Sequence, residues 1–261
     1  MCDPQFMLGV KRTVSVDEDG TRFIEFSQPD FIKSMFNTWR MKMKKEGRGK
    51  IPETPFPAGL FLSLFDKNGD RIHVADEEVD EVLELGYQKV VGELLWAQRN
   101  CYPDIAQGVI QLCKVMSRPS LVAWSAALHM VHYCMGQKER GIRFNSNGSE
   151  KLLCYYDSSN KGDHTDEKAQ YGWVVMFMGG PLSWESKKHR HVGKSSSHNE
   201  YMSMSQAAVE VKWIRELLEE MGFPQYVNKL RYWAAMIRQH DGFWNIWLRE
   251  VLNQYALNIT L

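Results

Sequence analysis

SSSHNEYMSMSQAAVE (residues 195–210) opens a long run of helical period, and its one early carboxylate, Glu200, decides what the surrounding fold is for. Ser197 followed three residues later by Glu200 has the form of a capping box, in which the hydroxyl accepts one orphan amide proton and the carboxylate reaches back to another. The alternative is that Glu200 offers its oxygens to a metal ion. The local pattern by itself favours the cap, so the choice turns on what the rest of the chain supplies. The apolar face of this helix is expected at Tyr201, Met204, Ala208, Val211, Ile214, Leu218 and Met221, with a stop at Gly222 and Pro224 just beyond.

Upstream the period changes from helical to extended. KLLCYYD (151–157), QYGWVVMFM (170–178) and PLSWES (181–186) predict three short strands, parted by a polar loop and by Gly179-Gly180-Pro181. Asp157 closes the first strand, where an acid is either a turn former or a ligand on a sheet edge. A strand-end aspartate, a three-stranded meander and a helix with an acid in its first turn together form a constellation able to converge on a divalent ion. Between strand and helix lies the basic loop ESKKHRHVGKSSSH (185–198). Its histidines, His189, His191 and His198, lack a neighbouring cysteine to complete a zinc site, so a solvated loop is the plain reading. Phosphate contact through Lys187, Lys188, Arg190 and Lys194 is its functional use.

The first half of the chain reads as hairpin, helix, linker and helical module. Residues 6–28 carry two β-rich runs around Asp19-Gly20, a hairpin signal, and 29–43 space Phe31, Ile32, Met35, Phe36 and Trp39 as one helical face. KMKKEGRGKIPETPFP (42–57) is a basic connection rich in Gly and Pro. Helical blocks over 78–136 break near Pro103 and Pro119, because the residue before a proline is steered away from helical angles. DKNGDRIHVADE (66–77) places Asp66, Asn68, Asp70 and Glu77 at EF-hand ligand positions, but Arg71 stands where the loop needs glycine, so a calcium-binding module is a minor alternative.

Composition sets the outer limits. Lysine plus arginine equals aspartate plus glutamate at 32 each, so only a local basic patch could attract nucleic acid. Five cysteines without a C-x-x-C pair read as buried thiols, and with no secretion signal or membrane-length apolar run the expected location is cytoplasmic or nuclear.

These segments, in this order, resemble the Pol polyprotein of copia-type long-terminal-repeat retrotransposons over roughly the first 220 residues. FMLGVKRTVSVDEDGTRFIEFSQPDFIKSMF is similar to the segment after the polymerase active site, and YQKVVGELLWAQRNCYPDIAQGVIQLCKVMSRP and SAALHMVHYCMGQKERGIRF to the helical region that follows. YYDSSNKGD, KAQYGWVVMFMGGPLSWESKK and SSSHNEYMSMSQAAVEVKWIRELLEEMGF resemble the strands and first helix of a ribonuclease H domain. The resemblance implies an α+β chain in four parts. These are the end of a reverse-transcriptase palm with a basic linker (1–57), a helical thumb or connection (58–145), an incomplete ribonuclease H-like mixed sheet with one long helix (146–224), and a helical tail unlike the family (225–261).

By the same resemblance Asp157 and Glu200 are metal ligands and catalytic acids, the cofactor is Mg2+, and the partner is an RNA/DNA hybrid read by groove shape and ribose hydroxyls. Such a site holds two ions about 4 Å apart. The remainder of a Pol polyprotein is a possible partner, and a membrane is not. His198 stands where the family has an earlier glutamate. The paired polymerase aspartates (Tyr-x-Asp-Asp) do not occur, and after the helix the family's strand ending in Asp-Asn, the third catalytic acid, gives way to QYVNKLRYWAAMIRQHDGFWNIWLREVLNQYALNITL. Its one aspartate, Asp241, reads as a turn former. The expectation is therefore a remnant without polymerase activity and with little or no nuclease activity, or else a non-catalytic nucleic-acid-binding fragment.

Overall fold

The computed structural model describes residues 5–43, 50–66, 68–148, 152–158 and 168–223, together with the backbone of 231–234. The described residues fall into two compact units, one of residues 5–12 and 26–142, the other of 13–25, 143–223 and 231–234. Secondary structure mixes six α-helices and eight strands among the described residues, in line with the α+β expectation.

The hairpin signal at Asp19-Gly20 holds. Strands β2 (Val10–Val16) and β3 (Arg22–Ser27) flank a turn in which Gly20 takes φ +83° and Asp19 accepts from both the amide and the hydroxyl of Thr21 at 2.9 Å. The first β-rich run is itself split, because Leu8 (φ +52°) and Gly9 (φ +80°) turn β1 (Phe6–Met7) back onto β2 with Met7 opposite Val10. Positive φ at both central residues gives a hairpin twist that matches the strands. With β4 (Gly141–Asn145) the sheet order is β1-β2-β3-β4.

In the first unit, α1 (Pro29–Trp39) buries Ile32, Met35 and Trp39, the expected stripe without Phe31 and Phe36, which are only partly covered. The helical blocks break where the prolines predict, between α3 (Tyr87–Asn100) and α4 (Ala106–Lys114) and again before α5 (Leu121–Gly136). A further break separates α2 (Asp76–Glu84) from α3 at Gly86, whose φ of +98° only glycine adopts without strain. Ser120 caps α5 by accepting from the Ala123 amide, and ten α5 residues are buried, which explains its nearly uniform apolarity. Two buried tyrosine hydroxyls in this core are paired: that of Tyr87 donates to the Leu112 carbonyl (2.9 Å), and that of Tyr133 donates to Asp104 (2.6 Å).

In the second unit, β5 (Leu153–Ser158), β6 (Gln170–Phe177) and β7 (Gly180–Lys188) form the expected antiparallel meander, and Met178-Gly179 turns β6 into β7 with both φ positive. The helix α6 (Ser196–Glu220) follows and ends as predicted, with Gly222 at φ +85° and the Phe223 amide donating to the Leu218 carbonyl at 2.8 Å. Its buried face differs from expectation: Asn199, Ser203, Ala207, Val211 and Ile214 are covered, while Tyr201 is 68% and Met221 59% exposed. Ala207, Val211 and Ile214 pack on Leu152 just before β5, on Cys154 and Tyr156 of β5, and on Tyr171, Trp173 and Val175 of β6.

The tail also corrects the sequence reading. Residues Arg231–Ala234 form a strand, β8, not a helix, and pair in parallel with β5 from Leu153↔Arg231 to Tyr156↔Ala234. The sheet order is therefore β7-β6-β5-β8, and β8 covers the second edge of β5 over these residues. Asp241 and the other tail residues after 234 lie outside the described residues.

A Cβ at position 86 would meet the Trp39 ring at 2.8 Å. Gly86→Ala is expected to lower stability by at least about 1–2 kcal/mol in urea denaturation, since a left-handed residue with a side chain alone costs about that much.

Candidate metal centre

Helix α6 begins two residues earlier than the capping-box reading requires. Ser195 is the cap, accepting from the His198 amide at 3.1 Å, and His198 answers through Nδ1, which accepts from the Lys194 amide at 3.1 Å. His198 thus reaches one residue past the cap, to the Lys194 amide, whereas a capping box would have it accept from the amide of Ser195 itself. Ser197 and Glu200 take no part in the cap. Glu200 lies in the second turn, not the first, half-buried, with its side chain free of any capping duty.

Asp157 sits near the end of β5 opposite Gly172 of β6. Its Oδ1 accepts from the Ser158 amide at 2.7 Å, and its carboxyl is pushed up from 3.8 to about 6. Burial is the main cause; the Ser158 hydrogen bond opposes it, and the negative charge of Glu200 adds to it. Burial raises the Tyr156 hydroxyl, with Cys154 and then Glu200 adding to it. The two acids singled out in the sequence are thus close enough for one to act on the other's ionisation.

A buried carboxyl that resists ionisation, with a second acid acting on it, offers the hard oxygen donors a divalent cation takes, and such a cation would offset the penalty on Asp157. Among the described residues no group of three or more His, Cys, Asp or Glu is arranged to hold a metal. β8, paired with β5 as far as Tyr156, is Arg231, Tyr232, Trp233 and Ala234 in sequence and holds no acid.

The basic loop separates into parts with different fates. Arg190 and Lys194 are exposed, whereas Lys187 forms an ion pair with Glu185 at 2.7 Å that offsets its charge. Lys188 ends β7 half-buried, and His191 is exposed. His189 contradicts the solvated-loop reading. It is 4% exposed, stacks on Tyr171 with ring centroids 4.4 Å apart, and places Nε2 3.2 Å from the Ser203 hydroxyl. Burial lowers its pKa below the ordinary 6.5 and the nearby charge of His198 lowers it further, against a hydrogen bond to the Asn199 backbone. Sequence periodicity missed this anchor because it counted apolar positions, while the covered stripe of α6 starts with the small polar Asn199 and Ser203.

The calcium alternative does not assemble. Asp66 spends its Oδ1 on the amides of Asn68 (2.8 Å) and Asp70 (2.9 Å), while Glu77 belongs to the first turn of α2. A cavity of about 760 Å³ in the first unit, lined by Trp124, Leu128, His129 and His132 of α5, holds Glu53 as its acid, already ion-paired with Lys50 at 3.0 Å. Neither place matches the donor set at Asp157 and Glu200. Cys101, Cys134 and Cys154 are buried and Cys113 is half-buried, none of them in a disulfide, with burial pushing Cys154 up to about 12. No helix among the described residues is long and apolar enough to cross a membrane.

Comparison with known proteins finds similarity to a retrovirus-related Pol polyprotein from transposon TNT 1-94 of Nicotiana tabacum, 26% identical over 269 residues, covering 98% of this chain and 19% of that protein. A retrovirus-related Pol polyprotein from transposon RE2 of Arabidopsis thaliana is 32% identical over 136 residues, 52% of this chain and 9% of its own length. A Plasmopara viticola protein named secreted RxLR effector protein 161 is 32% identical over 128 residues, 49% of this chain and 90% of its own. The chain thus spans about a fifth of the tobacco relative and a smaller share of the Arabidopsis one. No family model and no solved structure matches.

Because Asp157 binds its proton more tightly folded (about 6) than unfolded (3.8), the stability this gives is complete below pH 3.8 and is lost as pH rises through 6. Asp157→Asn is therefore expected to stabilise the metal-free protein at pH 8, by about 1–2 kcal/mol after allowing for solvent screening, and to change little at pH 4. Urea denaturation at the two pH values checks this.

Proposed function

Starting from a chain that belongs with the retrovirus-related Pol polyproteins of copia-type transposons, we propose that its second unit is a ribonuclease H-type domain with an impaired metal site. The observation that carries this reading is the electrostatic coupling of Asp157, at the end of β5, to Glu200, in the second turn of α6. The sheet order β7-β6-β5-β8, with β8 parallel to β5 and reached through α6, supports it. A strand is present where the resemblance expects one ending in Asp-Asn, but it reads Arg-Tyr-Trp-Ala.

In the ancestral reaction a phosphodiester of the RNA strand in an RNA/DNA hybrid is cut. Magnesium, when bound, would supply activation of a water and stabilisation of the departing oxygen. Asp157 and Glu200 would hold it, each through a carboxylate that must be ionised; Asp157 therefore limits binding below about pH 6. Arg190 and Lys194, with Lys188, would meet backbone phosphates, and Lys187 contributes less because Glu185 already answers its charge. With two acids in place of the usual set, the ion is held loosely and in poor geometry, so turnover is expected to be very low or nil.

Two measurements test this. Magnesium should raise the unfolding free energy of the wild type at pH 8, by about 1.4 kcal/mol once the free ion is tenfold above its Kd, and should not do so in Asp157→Asn or Glu200→Gln. Incubated with a labelled RNA/DNA hybrid and magnesium, the protein is expected to leave the hybrid essentially intact. Robust cutting that disappears in Asp157→Asn would overturn the impaired reading and favour an active nuclease. Salt-sensitive hybrid binding without magnesium stabilisation would favour a binding role alone.

A further inference from the structure

The peptide joining Asn199 to Glu200 is held from outside its own helix. Asn199 is 3% exposed, and its carbonyl accepts the Ser203 hydroxyl proton at 2.8 Å. That proton being committed, the 3.2 Å approach of His189 Nε2 to the same hydroxyl requires Nε2 to carry hydrogen and donate. His189 is fixed in turn by its stack on Tyr171 and by its own amide, which donates to the Ala169 carbonyl at 2.8 Å. On the other side Gly193 lies against the Asn199 amide so closely that a Cβ there would fall 1.6 Å from Oδ1. Residues 189 and 193 thus both lie against the turn that leads into Glu200.

We infer that His189 is a positioning residue for Glu200, acting through Ser203 and the Asn199 carbonyl to fix the turn of α6 that aims the Glu200 carboxylate. The inference deepens the metal reading and rests on it. Groups that orient a ligand from behind set how well it binds, and removing one costs about tenfold or more in metal affinity. His189 touches neither acid, so its part is alignment and not catalysis.

The test uses the whole chain with two readouts, amide hydrogen exchange over residues 197–204 without metal and Mn2+ affinity by titration. In His189→Leu, exchange over 197–204 is expected to quicken about tenfold while 211–218 keeps the wild-type rate, because local opening is governed by local contacts. Mn2+ affinity should fall about tenfold. His189→Gln, whose Nε2 donor stands near the imidazole Nε2, should restore both. Ser203→Ala, which removes the relay with little change in volume, should reproduce the leucine phenotype and carries the test if His189→Leu does not fold. Wild-type exchange in the leucine or alanine variant, or a glutamine variant as impaired as leucine, would overturn the inference. If the wild type binds Mn2+ no better than Glu200→Gln does, the metal reading fails, while the exchange result still decides whether His189 fixes the turn.

Discussion

Everything distinctive about the second unit depends on how α6 lies across β5 and β6. The helix presents small residues, Asn199, Ser203 and Ala207, where it starts and larger ones, Val211 and Ile214, further along. Small side chains allow close approach at the end where Asp157 and Glu200 must come together, and bulkier ones fill the space over Cys154 and Trp173 further on. Ser183 of β7 adds a directional contact, donating to Glu210 at 2.7 Å. The acid pair is thus a consequence of packing: shift the helix by a turn and Glu200 leaves the neighbourhood of β5.

Much of this was legible in the sequence, and the parts that were not have identifiable causes. The strands 153–158, 170–177 and 180–188 and the stop at Gly222 follow from alternation, paired turn residues and a C-terminal glycine, all local signals. Asp157 and Glu200 were found because they end one element and begin another. The cap was misassigned because three serines in a row, Ser195 to Ser197, give equivalent local readings, and only geometry shows that Ser195 is used. His189 looked like part of a charged loop because its neighbours are Lys188 and Arg190; its burial depends on Tyr171 and Ser203, which no spacing rule links to it. β8 was read as helical because a four-residue strand has too few positions to show a period, and its pairing with β5 is long-range.

The histidine at position 198 illustrates how a departure from a family pattern can leave the chemistry untouched. At the third position of a helix the useful property is an acceptor that can reach back to a free amide, and a neutral imidazole nitrogen meets that need as a carboxylate does. Nδ1 of His198 does so for Lys194. What changes is charge: the first turn of α6 carries no acid to oppose the helix dipole there. Histidine at this position therefore supplies a backbone acceptor without the negative charge of a carboxylate.

The same separation of fold from chemistry runs in the opposite direction at β8. Backbone pairing asks only that residues 231–234 be extended, and Arg-Tyr-Trp-Ala meets that requirement, with two aromatics of high strand preference. The proposed metal site would ask for a carboxylate at one position, and no residue of this strand has one. Covering the edge of β5 protects the sheet from unwanted pairing, so a sequence can lose the ligand here and still fold. A metal site depends on each donor individually, whereas a sheet depends on a pattern that many sequences satisfy. The second unit keeps the pattern and holds Asp157 at an ionisation cost that two carboxylates and no third partner leave in place.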